Sequence, residues 1–110
     1  MNTSSTDTML VITSIDDAAA AAALARALVT RKQAACVSIL PQATSIYDWE
    51  GTLQESSEQV LMIKTQAASY TDVQDTLLEL HPYELPEIIA VPISQGLTPY
   101  LNWIKDSCSS

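Results

Sequence analysis

An α+β domain, one antiparallel sheet with both main helices on a single face, is the fold class this sequence predicts. Segments of strand and helix character follow one another in the order β α β β α β with a further helix at the end, and the two middle strands are long and joined by a tight turn. Three of the strands are apolar at nearly every position, which predicts cover on both faces of the sheet. A chain of 110 residues has room for one domain, placed at 9–106, with Ser/Thr-rich tails at 1–8 and 107–110 expected to be disordered.

Met9 to Thr13 (MLVIT) is a short apolar run with β-branched residues, bounded by SIDD, and predicts a buried strand. A helix follows, because the alanines that come next have the highest helix propensity. Ser14 or Asp16 can cap it; Asp16 and Asp17 suit the positive end of its dipole, Arg31 and Lys32 the negative end. Its expected core stripe is Ala21, Leu24, Ala25 and Leu28.

Cys36 to Asp48 predicts one long strand with a bulge or kink at Pro41, since the apolar positions Val37 and Ile39 are odd-numbered while Ile46 is even. Asp48 to Thr52 (DWEGT) is the turn, and Leu53 to Thr65 returns as a second long strand. In Ser69 to Leu80, Thr71 and Gln74 stand at capping-box spacing, and Val73, Leu77 and Leu80 recur at i, i+4 and i+7, which predicts an amphipathic helix stopped by His81 and Pro82. Glu87 to Ile93 is the last strand, marked by Pro92 as an edge or irregular ending. Gly96 turns the chain, and Thr98 with Pro99 caps a short helix through Tyr100, Trp103 and Ile104.

This order is that of the split βαβ, or ferredoxin-like, two-layer sandwich with a C-terminal helix. One helix layer cannot cover both faces of strands as apolar as Met9 to Ile12, Val60 to Ile63 and Ile88 to Val91. The expected cover is another copy of the chain, with the hairpin arm and the Pro-marked strand available for edge pairing.

Thirteen Asp and Glu against five Lys and Arg give a net charge of −8, which argues against nucleic acid and anionic membranes as partners. The chain has no Phe, two Trp and four Tyr, and so lacks the stacking platform of sheet-based RNA binders. The opening MNTSSTDT has no signal-peptide character and no apolar run approaches the ~20 residues that span a bilayer, so a cytoplasmic protein is expected. Cys36 and Cys108 form no disulfide framework and match no zinc spacing; both are expected as free thiols, Cys108 exposed in the tail.

The densest group of chemically capable residues is HPYELPE, His81 to Glu87, held between two prolines. His81 either caps the preceding helix or serves as a metal or small-molecule ligand, the latter requiring Cys36, Glu58, Glu87 or a neighbouring chain's residue close by. Cys36 reads as a small core hydrophobe or as a soft ligand or thiolate nucleophile. Tyr47 and Trp49, beside the hairpin turn, pack against a partner chain or rim a cleft. Glu58 and Lys64 share one strand face, so Lys64 is expected to be partly buried and paired with Glu58 or Glu87. No nucleophile elbow or HExxH is present, and two glycines cannot build a phosphate loop, so an enzyme is not expected.

AACVSILPQATSIYDWEG, VLMIKT, HPYELPEIIAVPI and the ending YLNWI together resemble the CutA family of divalent-cation tolerance proteins, from about Met9 to Ile104. The resemblance implies a ferredoxin-like homotrimer with intersubunit sheet pairing, cytosolic in bacteria and similar in architecture to PII signalling proteins. It also implies a role in tolerance of, or response to, divalent metals, with copper binding in some members. Members with a copper site carry a Cys in the first strand and two consecutive His before PY; here those positions are Ile12, Leu80 and His81, which leaves His81 as the metal candidate. Cys36, Tyr47, Trp49, Glu58, Lys64, Tyr83, Glu87 and Trp103 match the family and are expected to cluster in a cleft between subunits. The expected protein is non-enzymatic and requires no cofactor, its cleft taking a divalent cation (copper or zinc) or a small ligand. The alternative is a PII-like signalling module that binds a partner protein or metabolite and affects metals indirectly.

Overall fold

The computed structural model describes residues 6–108. Its elements are β1 (Thr8–Ile15), α1 (Ala18–Thr30), β2 (Cys36–Trp49), β3 (Thr52–Gln66), α2 (Tyr70–Leu80, entered through a 3-10 turn at Ala67–Ser69), β4 (Ile89–Pro92) and α3 (Thr98–Ser107). The four strands form one sheet in the order β2-β3-β1-β4, every pairing antiparallel, so the predicted α+β layout and element order hold. No helix among the described residues is long and apolar enough to cross a membrane.

Register fixes which face each side chain takes. Val11 faces Ile63 and Thr13 faces Leu61 across the β1–β3 pair, and these residues turn toward the helices. There Val11, Leu61 and Ile63 meet Ala21, Leu24 and Leu28 of α1 and Val73 and Leu77 of α2 in one buried cluster. Each fully buried Leu, Ile or Val contributes about 1.5–3 kcal/mol. The small Ala21 in this stripe lets α1 lie close on the sheet, whereas Ala25 is only half-buried. On the opposite face Leu10, Ile12, Val60 and Met62 are half-buried, and Leu40, Ile89 and Val91 are exposed.

The β2–β3 hairpin carries the predicted defect. Leu40 pairs with Val60 and Ala43 with Glu58, so Pro41 and Gln42 together oppose Gln59 alone, and Gln42 sits at φ 62°. Before this bulge Cys36, Ser38 and Leu40 stand on the face away from the helices; beyond it Ser45, Tyr47 and Trp49 do. The parity change read from Val37, Ile39 and Ile46 is therefore real. Glu50 and Gly51, at φ 54° and 84°, form a two-residue loop between paired Trp49 and Thr52, and Asp48 Oδ1 accepts from the Gly51 N–H at 2.9 Å.

Several local expectations shift. The cap of α1 is Asp17, whose Oδ1 accepts from the Ala20 N–H at 3.0 Å; Ser14 belongs to β1 and Asp16 to the turn between. Arg31 and Lys32 lie past the helix, Lys32 at φ 60°, and Arg31 reaches Glu79 Oε1 at 3.0 Å instead of the helix carbonyls. The Thr71–Gln74 capping box is not made: α2 starts a residue earlier, and Gln74 Oε1 accepts from the Tyr70 O–H at 2.8 Å. Leu80, the last of its stripe, is exposed. The last strand begins at Ile89 because Glu84 to Ile88 serve the loop before it, and Thr98 is already inside α3, with Leu97 at its cap.

The tails expected at 1–8 and 107–110 lie partly outside the described residues. Within them, Thr6 donates its hydroxyl to Ile93 O at 2.6 Å and Thr8 opens β1. Cys108 is not the exposed thiol expected: it is 3% exposed and packs with Ala35 and Ile104, because α3 folds back against the end of β3.

Candidate functional site

A cleft of about 760 Å³ opens between the outer half of the hairpin and the loop 81–88. The bulge builds its first wall, since only beyond it do Ser45, Tyr47 and Trp49 share a face with Gln54, Ser56 and Glu58. Tyr83, Glu84, Leu85 and Glu87 build the second, and Ser14 and Asp16, at the end of β1, its floor. Asp16, Glu58, Glu84 and Glu87 all line this cleft, and none of its lining residues is basic.

Glu58 is the most enclosed of the four carboxylates, at 5% exposed. Tyr83 donates its phenolic O–H to Glu58 Oε2 at 2.7 Å. Desolvation, this bond and the charges of Glu58 and Asp16 push the Tyr83 pKa far above its ordinary value, so the phenol stays a donor. Glu87 Oε1 accepts from the Ser14 hydroxyl at 3.1 Å.

His81, 8% exposed, stands behind this wall. The Tyr83 backbone N–H donates to its Nδ1 at 3.1 Å, which leaves the proton on Nε2, and Nε2 donates to Ser14 O at 2.8 Å. Its ring does not cap α2; only its backbone N–H does, to Leu77 O. A metal at either ring nitrogen would have to break one of these bonds. No group of three or more His, Cys, Asp or Glu suited to a metal ion occurs among the described residues.

The family-matched residues thus divide. Tyr47, Trp49, Glu58, Tyr83 and Glu87 meet at the cleft within one chain. Cys36 and Lys64 do not: they pair with each other near the other end of the sheet, Lys64 Nζ donating to Ser38 Oγ at 2.6 Å and lying 3.9 Å from Cys36 Sγ. The expected pairing of Lys64 with Glu58 or Glu87 is therefore replaced by a neutral hydroxyl, because six residues of strand put Glu58 roughly 20 Å away. Trp103 stacks on Tyr100 with ring centroids 5.6 Å apart, outside the cleft. Ser14, Asp16, Gln54 and Ser56 are cleft residues the sequence reading missed; the i, i+2 alternation from Glu58 toward the turn was the signal for Gln54 and Ser56.

The fold has close counterparts among solved structures. The crystal structure of CutA from Xylella fastidiosa superposes with a TM-score of 0.92 at 40% identity, covering 94% of this chain and 100% of that one. Divalent-cation tolerance protein CutA of Thermus thermophilus is 38% identical over 89% of this chain and 95% of its own length. The Xenopus laevis CutA homolog is 49% identical over 76% of this chain but only 55% of its own length; this chain spans about half the length of the vertebrate relatives it matches. The family model for CutA1 divalent ion tolerance protein matches residues 9–107, all of the sheet but Thr8 and all three helices, and on that match the chain belongs to the CutA1 divalent ion tolerance protein family.

Proposed function

We propose that this protein is a non-enzymatic, cytoplasmic, homotrimeric divalent-cation tolerance protein whose clefts, completed by neighbouring copies, bind a cation or small ligand. The observation that carries the reading is the cleft's charge: four carboxylates, one of them buried, with no basic residue in the lining. A cation supplied from outside is the natural counter-charge for such a site. Exposed Leu40, Ile89 and Val91 on the sheet face away from the helices support assembly, since a second copy would remove them from water. Copper and zinc are the metals of choice, and His81 could reach one only by releasing Ser14 O or the Tyr83 N–H.

Calorimetric titration of copper and zinc into the purified protein tests the metal role. Saturable heat is expected, and its absence below millimolar metal overturns it. Light scattering tests the assembly, for which a mass three times that of the chain is expected and a stable monomer is the contrary result.

A PII-like module, with metals acting indirectly, is favoured by one observation: no three metal-ligating side chains converge among the described residues of one chain. It predicts retention of a partner protein or metabolite by immobilised protein with no dependence on added metal.

A further inference from the structure

Resting on the reading of the cleft as a cation site, the geometry points to an alkylammonium group, not a bare metal ion, as the ligand it is built for. Glu58 is 95% removed from water, yet the only hydrogen bond it receives among the described residues goes to Oε2. The only ion pair among those residues is Arg31–Glu79, so Glu58 has no counter-charge among them. Two positions along β3, on the same face, the Ser56 hydroxyl oxygen is buried with no partner among the described residues. A carboxylate with one oxygen unbonded and a hydroxyl without a partner among the described residues therefore line one cleft.

The chemistry of those groups selects among cations. A divalent metal ion gathers about six or more oxygen donors within 2.0–2.6 Å, and no three carboxylates, thiols or imidazoles of the described residues are grouped for that. An ammonium needs less: three donors, pointed at separate acceptors, and an apolar stem. Glu58 Oε1 and Ser56 Oγ are two such acceptors. Tyr47 and Trp49, on the same face of the hairpin, offer aromatic surfaces for the charge and the stem. The ammonium can come from a free amine or from a lysine of another copy, and this chain supplies Lys32, Lys64 and Lys105.

The test is calorimetric titration of 1,4-diaminobutane in phosphate buffer, beside zinc chloride in an amine-free, non-chelating buffer. Tryptophan fluorescence is followed in a Trp103→Phe background, so that Trp49 reports. Saturable uptake by the wild type is expected, weakened about 10-fold or more by Glu58→Gln. Ser56→Ala, which leaves the Tyr83–Glu58 bond in place, is expected to weaken it about 5-fold, and Trp49→Leu about 3-fold. Uptake by the wild type identifies a free amine. Uptake only after Lys32→Ala, Lys64→Ala or Lys105→Ala identifies that lysine as the resident group; both results uphold the proposal. No uptake by any of these proteins up to about 10 mM amine overturns it, as does uptake that neither Glu58→Gln nor Ser56→Ala changes. Zinc uptake is read separately: amine binding without zinc removes the metal reading alone, and zinc binding without amine removes this proposal alone.

Discussion

Tyr83 and Glu58, 25 residues apart in the chain, are joined by a 2.7 Å hydrogen bond that ties the loop after α2 to the hairpin arm. The two walls of the cleft are thereby one mechanical unit. Removing the donor by Tyr83→Phe leaves the enclosed Glu58 Oε2 without its hydrogen bond. A loss of about 1–3 kcal/mol in urea unfolding is expected, with a wider cleft and faster amide exchange along Thr52–Glu58.

The same pair sets a pH dependence. Burial and Glu58 raise the folded-state pKa of Tyr83 above the ordinary tyrosine value. Between the unfolded and folded values the native state holds a proton that the unfolded chain has released, so stability falls as pH rises. It is therefore fully present below about pH 10 and is lost progressively above it. Thermal unfolding from about pH 9 to about pH 11, on either side of the unfolded tyrosine value of about 10, should show this fall in the wild type and a shallower one in Tyr83→Phe.

His81 joins the end of β1 to the loop through Ser14 O and the Tyr83 N–H. His81→Ala abandons both partners, and a loss of about 1–3 kcal/mol is expected. His81→Gln, which keeps a donor and an acceptor, should recover part of it, whereas a residue serving only as a metal ligand would leave metal-free stability unchanged.

At the hairpin tip Glu50 holds φ 54° beside Gly51 at φ 84°. Side chains other than Gly and Asn are strained there by roughly 1 kcal/mol. Glu50→Asn should therefore stabilise the protein by about 0.5–1 kcal/mol, read as a higher urea midpoint at unchanged slope.

Cys108 is covered by α3 packing and lies 3.8 Å from Thr65 Oγ1. In a Cys36→Ser variant, a thiol reagent should find no reactive group until the protein is unfolded. Prompt reaction of the folded variant would place Cys108 at the surface.

What the sequence determined by itself was whatever short-range pattern encodes. The turn at Asp48 to Thr52 predicted β3 as the returning strand, the spacing of Val73 and Leu77 predicted α2, and the change of parity across Pro41 predicted the bulge. The α+β order followed from these patterns, whereas the grouping of Tyr47, Trp49, Glu58, Tyr83 and Glu87, which line one cleft of the chain, was expected only from the family resemblance. Only the tertiary structure decided the partners. Lys64 met Ser38 in place of Glu58, His81 turned both ring nitrogens to the backbone, and Cys108 went into the core. Periodicity fixes the face a side chain takes because backbone geometry repeats every two or 3.6 residues. Which distant group meets it on that face depends on strand register, bulge position and loop path, which no local pattern specifies.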